Sequence, residues 1–196
     1  MQILKRSIVC LLLTLTPLTV FAEERNTLFS MHGMHHGGFG GPVLKATKIG
    51  DNTNYLMGGK GAWLINHQFY LGGGGQGTLK DINSEGERMA YGGLIFGYIG
   101  QPNKPVNYSL EMLIGGGRIG MSGLHDEVTS HNTQGDSSDG FFAAEPAVLV
   151  NFNLSRFATA SVGLSYRYIS GSNQATLTDS ELSGLTAQLS FMFGRF

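Results

Sequence analysis

The stretch Leu185-Thr-Ala-Gln-Leu-Ser-Phe-Met-Phe-Gly-Arg-Phe196 decides the fold. Leu185, Ala187, Leu189, Phe191 and Phe193 alternate with Thr186, Gln188, Ser190, Met192 and Gly194. A two-residue period puts the large apolar groups on one face of an extended strand. The ends of soluble domains tend to fray. A long, aromatic-rich strand in the last residues instead fits a closed barrel, where the last strand pairs with the first and leaves no edge. Phe196 falls in the phase of Met192 and Gly194, out of step with Phe193.

The other end of the chain agrees. Residues 1–22 carry Lys5 and Arg6, an apolar run from Ile8 to Leu18, and Val20-Phe21-Ala22. This is the pattern of a secretory signal peptide with a small-residue cleavage site, so Glu23 is expected to begin the mature chain. The apolar run is short of the ~20 residues that a spanning helix needs. The only cysteine, Cys10, leaves with this leader, so the mature chain has no disulfide or thiolate chemistry.

Composition narrows the class. Without Lys5 and Arg6, eleven basic residues face fourteen acidic ones, which is not the charge of a nucleic-acid binder. Charged residues make up 14% of the chain, against about a quarter in soluble domains. With thirty glycines and so few charges, little is left to coat a water-facing surface. A barrel facing lipid needs no such coat.

Residues 23–40, which include Met31-His-Gly-Met-His-His-Gly-Gly-Phe-Gly40, show no periodicity and are expected to form a flexible Gly/His/Met-rich tail. Eight strands are expected in 41–196, near Val43–Ile49, Tyr55–Ile65, Phe69–Leu79, Met89–Ile99, Val106–Arg118, Phe142–Asn153, Phe157–Ile169 and Leu182–Arg195. In the fifth, Val106, Tyr108, Leu110, Met112 and Ile114 oppose Asn107, Ser109, Glu111 and Arg118. The fourth is apolar on both faces, which leaves its facing open. Pro146 cannot donate to a ladder, so a bulge is expected there.

The connections alternate in length. Asn66–Gln68, Gly100–Pro105 and Leu154–Arg156 are tight, whereas Lys80–Arg88, Ile119–Gly140 and Ser170–Glu181 are long and polar. Bacterial outer-membrane barrels have short periplasmic turns and long external loops in such alternation.

Two architectures fit an apolar face set against a polar one. A lipocalin-like soluble barrel, periplasmic or secreted, turns the apolar face inward around a greasy ligand. A membrane barrel turns it outward to lipid. The polar face decides between them, being mostly Gly, Ser, Thr and Asn with isolated Lys60, Glu111, Arg118, Glu145 and Arg167. Those residues suit a narrow lumen better than a solvated surface. Lys60, Glu111, Glu145 and Arg167 are therefore expected inside as a mixed-sign network. Tyr55, Trp63, Tyr108, Phe142, Phe152, Tyr166, Tyr168 and Phe191 are expected as aromatic girdles.

Other motifs invite chemistry and mostly lack its context. Gly72-Gly-Gly-Gly-Gln-Gly77 contains G-x-G-x-x-G but opens no helix, so no nucleotide site is expected. His32, His35 and His36 with Met31 and Met34 form a weak candidate for a borderline metal, lacking an orienting second layer. Asp136-Ser-Ser-Asp139 with His125 and His131 raises the alternative of an outer-membrane enzyme acting on lipid A. No nucleophile elbow supports a triad there. No cofactor is expected.

The final strand resembles the closing strand of bacterial outer-membrane barrels, and the whole of 41–196 resembles the small eight-stranded type represented by OmpA and OmpX. The resemblance rests on the leader, the strand count, the loop alternation and Phe196. Gly41-Pro-Val-Leu-Lys45 and Gly59-Lys-Gly-Ala-Trp-Leu-Ile-Asn66 are also similar to uncharacterised bacterial secreted proteins, a likeness that implies no activity. The expectation is an all-β, eight-stranded, antiparallel up-and-down transmembrane barrel in the bacterial outer membrane. It would act structurally or through its external loops, in envelope stability, adhesion or surface recognition. Its partners would be outer-membrane lipid and a surface ligand held by Lys80–Arg88, Ile119–Gly140 and Ser170–Glu181.

Overall fold

The computed structural model describes residues 35–50, 52–82, 87–121, 139–172 and 178–196. The expected signal peptide, most of the expected tail and His32 lie outside them, as do His125, His131, Asp136 and Ser137.

Eight antiparallel strands follow one another around a closed barrel: β1 (His36–Ile49), β2 (Asn52–Ile65), β3 (Phe69–Thr78), β4 (Glu87–Gly100), β5 (Val106–Met121), β6 (Asp139–Ser155), β7 (Ala158–Ser170) and β8 (Gly184–Arg195). β1 closes on β8, with Gly38 opposite Arg195 and Thr47 opposite Thr186. A single four-residue helical turn, α1 (Asp179–Leu182), precedes β8. β1 begins seven residues before the expected start, so His36–Gly40, assigned from sequence to the tail, are strand.

The register fixes the shape. From Phe39 the rows run through Ala62, Gly72, Ile95, Leu113, Glu145, Arg167 and Gly184, and return to β1 level with Ile49, ten residues from the start. Eight strands with that stagger tilt by about 40° from the barrel axis.

One end carries turns of three, five and two residues (66–68, 101–105 and 156–157). The other carries the β1–β2 turn and the three longer connections.

The facing is settled on every strand. On β8, Leu185, Ala187, Leu189, Phe191 and Phe193 point out, and Thr186, Gln188, Ser190 and Met192 are buried. The apolar face is the outer one throughout, with Val148, Val150, Val162 and Leu164 among its exposed residues. β4, ambiguous in sequence, sends Met89, Tyr91 and Ile95 inward and Leu94 and Phe96 outward.

Two expectations need correction. Arg118 is not on the face of Glu111. Seven residues separate them, an odd number, so it points outward near the long-loop end of β5, two residues beyond Gly116, the partner of Phe142. Pro146 makes no bulge either. Ala144 pairs with Tyr168 and Ala147 with Ser165 in unbroken register, so the proline leaves a gap in the β6–β7 ladder, and the register shift falls at Asn153/Ser155. Pro42 leaves a similar gap between β1 and β8.

Glycines shape the wall from β2 to β5. Gly93 and Gly115 face each other across β4 and β5 so closely that a Cβ on either would lie about 2 Å from the opposing backbone oxygen. At Gly97 the space of a side chain is taken by the ring of Tyr70. Glycine here lets strands approach tightly and lets bulky side chains cross.

Candidate functional site

The candidate site is the barrel interior and its two mouths. Toward the long loops, Ile49, Leu56, Met89, Ile119 and Ile169 line the lumen and are buried with Ile82 and Leu182 from the connections. α1 positions Leu182. The amide and hydroxyl of Thr178 both donate to the Glu181 carboxylate at 2.8 Å. These bonds hold that carboxyl below its ordinary pKa. The Gly50 amide donates to the Glu181 carbonyl, tying α1 to the β1–β2 turn.

Below this apolar collar lies Glu145, 2% exposed. It accepts from Lys45 Nζ at 2.7 Å, Tyr91 Oη at 2.7 Å, Gln76 Nε2 at 3.2 Å and Ser165 Oγ at 2.5 Å. Donors from β1, β3, β4 and β7 thus converge on one carboxylate of β6. Arg167, fully buried, donates from Nε to the Leu182 carbonyl at 2.8 Å and reaches Thr47 Oγ1 at 3.4 Å. Lys45 and Arg167 lie 5.8 Å and 5.9 Å from the centre of the Tyr91 ring, within range of its π-face. Arg167 Nη1 has no partner among the described residues.

A second carboxylate lies nearer the short turns. Glu111 of β5 accepts from Lys60 Nζ of β2 and, at 2.7 Å, from Tyr70 Oη of β3. The space between the two clusters is about 10 Å³, at the lower limit of what one water occupies. The lumen is therefore blocked at mid-height. Toward the short turns it widens into a vestibule of about 440 Å³, bordered by Phe39, His67, Asn103, Arg156, Arg195 and Phe196 among others. Three of its asparagines are engaged. Asn151 donates to Asn107 at 2.8 Å, and Asn153 donates to the carbonyls of Lys104 and Pro102.

Lys60, Glu111, Glu145 and Arg167 all lie in the lumen, but in two clusters rather than one. Sequence reasoning missed Lys45, Tyr70, Tyr91, Gln76 and Ser165 as partners. Tyr70 shares the phase of Gln76 and Thr78, a signal that was present in the sequence. Lys45 lay within the expected first strand, in phase with Val43 and Thr47, and Tyr91 needed the facing of β4.

The eight aromatic residues expected as girdles are all exposed on the outer face. Tyr55, Phe142, Tyr166 and Tyr168 stand toward the long-loop end, and Trp63, Tyr108, Phe152 and Phe191 toward the short-turn end. Phe142 and Phe152 are ten residues apart on β6, about 25 Å along the barrel axis at this tilt. His36 stacks on Trp63 at 5.3 Å, whereas the ring of His35 lies 5.4 Å from that of His67. No cluster of three potential metal ligands occurs among the described residues.

No protein-family model and no curated protein matches the sequence. Solved structures do match. The chain is similar to Neisserial surface protein A, at 13% identity and a TM-score of 0.59, over 83% of this chain and 98% of that one. It is also similar to the N-terminal β-barrel domain of Pseudomonas aeruginosa OprF, at 11% identity and a TM-score of 0.53, over 81% and 96%. Identities this low speak to the fold alone. The fold is that of the small eight-stranded outer-membrane barrels.

Proposed function

We propose that the protein is an integral barrel of the bacterial outer membrane, with a plugged lumen, that acts through what it displays at the long-loop end. One observation carries this reading: the polarity of a soluble domain is inverted. The outer wall presents Leu, Val, Phe and Tyr, and the interior holds paired charges and hydrogen-bonded hydroxyls. Water would solvate such a wall badly, and contiguous apolar surface on this scale is foreign to soluble monomers. The ~25 Å between aromatic levels equals the apolar band of outer-membrane barrels. Closure leaves no strand edge for lipid to meet.

The roles of structural element, adhesin and receptor for a surface ligand all use one geometry, in which polar loops stand on a rigid frame. The connections Lys80–Arg88, Ile119–Gly140 and Ser170–Glu181 would make such contacts. A non-enzymatic role is part of this proposal, and it is supported in the lumen by carboxylates that are taken up by cations and hydroxyls.

Cysteine labelling in intact cells tests the orientation, with little background from a mature chain that carries no native cysteine. Cysteines at Ser130 and Asp179 should react with an impermeant reagent from outside, and one at Asn103 only after lysis. A protein that dissolves in plain buffer as a monomer, or the opposite labelling pattern, would overturn the reading.

A further inference from the structure

The β2–β3 turn holds a conformational outlier. The Gln68 amide donates to the Ile65 carbonyl at 3.1 Å, and Asn66 and His67 between them have φ of 52° and 59°. Two successive left-handed residues make a type I′ turn, whose second central position favours glycine. A histidine there is strained, because its Cβ crowds the backbone in the left-handed region. In a chain with thirty glycines, a side chain kept at that position suggests a use for it.

Its surroundings supply one. The His67 ring borders the vestibule mouth and stands 5.4 Å from the His35 ring, with 37° between their planes. His35 is anchored too, since its carbonyl accepts the Asn66 amide at 2.9 Å. His36 turns to the outer wall and stacks on Trp63. The backbone therefore splits the histidine run and fixes one imidazole opposite that of the turn.

We propose that His35 and His67 form a two-imidazole site for a borderline divalent transition ion such as Ni(II), Cu(II) or Zn(II) at the vestibule mouth. With metal–nitrogen bonds of 2.0–2.1 Å, two imidazoles on one tetrahedral ion have ring centres about 5.2 Å apart, close to the spacing seen. The remaining positions belong to water from the vestibule. The charged side chains bordering the cavity, Arg156, Arg195 and Lys60, are cationic, so general side-chain electrostatics do not draw a cation in. Chelation must provide the affinity, which selects imidazole-seeking ions over Mg²⁺ and Ca²⁺ with their preference for oxygen.

The test is titration of the untagged protein in detergent with Ni(II) against a chromophoric chelator. One equivalent should bind, and Mg²⁺ in excess should not compete. His67→Gly should weaken binding at least tenfold while leaving heat-modifiable migration intact and thermal stability equal or higher, because glycine releases the left-handed strain. His35→Gln should weaken binding similarly, and His36→Gln should leave it unchanged. Should His67→Gly fail to fold, His67→Asn, which also tolerates the turn, takes its place. Absence of Ni(II) uptake by the unaltered protein, or equal affinity after loss of His67, would overturn the proposal.

Discussion

The two halves of the barrel wall fill the lumen differently. From β2 to β5, bare glycine alternates with large side chains that lie across it. The Tyr70 ring occupies the space over Gly97, Ile95 approaches Gly74, and Tyr91 approaches Gly117. On β7 and β8 the inward residues include Thr159, Ser161, Ser165, Thr186, Gln188 and Ser190, mostly small and polar, each filling its own place. One narrow interior is thus packed by two schemes; tight backbone approach is dense in the first and recurs on β7 at Gly163, against Val148 and Leu149. Glu145 joins them, because its donors come from both halves.

The sharpest way to break the comparison is Gly115→Val. Its Cβ would meet the Gly92 carbonyl oxygen at 2.1 Å, a clash with backbone that no rotamer relieves. The barrel should fail to form, seen as loss of heat-modifiable migration. Ser161→Ala on the other wall should leave migration unchanged.

Next in size is Glu145→Ala, which strands Lys45 without a partner. Breaking a buried pair costs about 3–5 kcal/mol, read by urea unfolding in lipid vesicles with Trp63, the one tryptophan, as the fluorophore. The double variant Lys45→Met/Glu145→Leu should regain most of the loss. If it does not, the carboxylate's other three donors carry more of the stability than the ion pair does.

Leu164→Arg, at mid-height on the outer face, should cost about 2–4 kcal/mol in the same assay if that face meets hydrocarbon. A neutral result would place the wall in water. Smallest is Ser190→Ala. The Ser190 hydroxyl is buried without a partner among the described residues, so its removal should change stability by no more than about 0.5 kcal/mol.

The same division of the wall explains what the sequence disclosed. β6, β7 and β8 read cleanly because outward Val148, Val150, Phe152, Val162, Leu164, Leu189 and Phe191 alternate mostly with small or polar inward residues, and the inward large apolar groups, such as Leu149 and Met192, are few. β4 did not, since an inward Tyr91 or Ile95 looks like an outward Leu94 or Phe96 until the facing glycines are known. That knowledge is non-local, because it depends on which glycine lies across the seam. The start of β1 was hidden for a related reason. His36-Gly-Gly-Phe-Gly-Gly41 has strand geometry imposed by two neighbours rather than by its own residues. Arg118 was misplaced by a parity error that strict two-residue counting corrects. Of the lumen charges, four were found from their isolation on a polar face. Their grouping into two clusters is a matter of height along tilted strands, which no local pattern encodes.

The pairing of Gly38 with Arg195 has a kinetic consequence. Seven of the eight seams join neighbours in sequence and can zip up hairpin by hairpin, whereas the eighth unites segments separated by most of the chain. Contacts of such separation are slow to gain. Substitutions along β1 and β8 that spare the other seams should then act mainly on how fast the cylinder completes itself, and those in the hairpins mainly on how long it lasts once made.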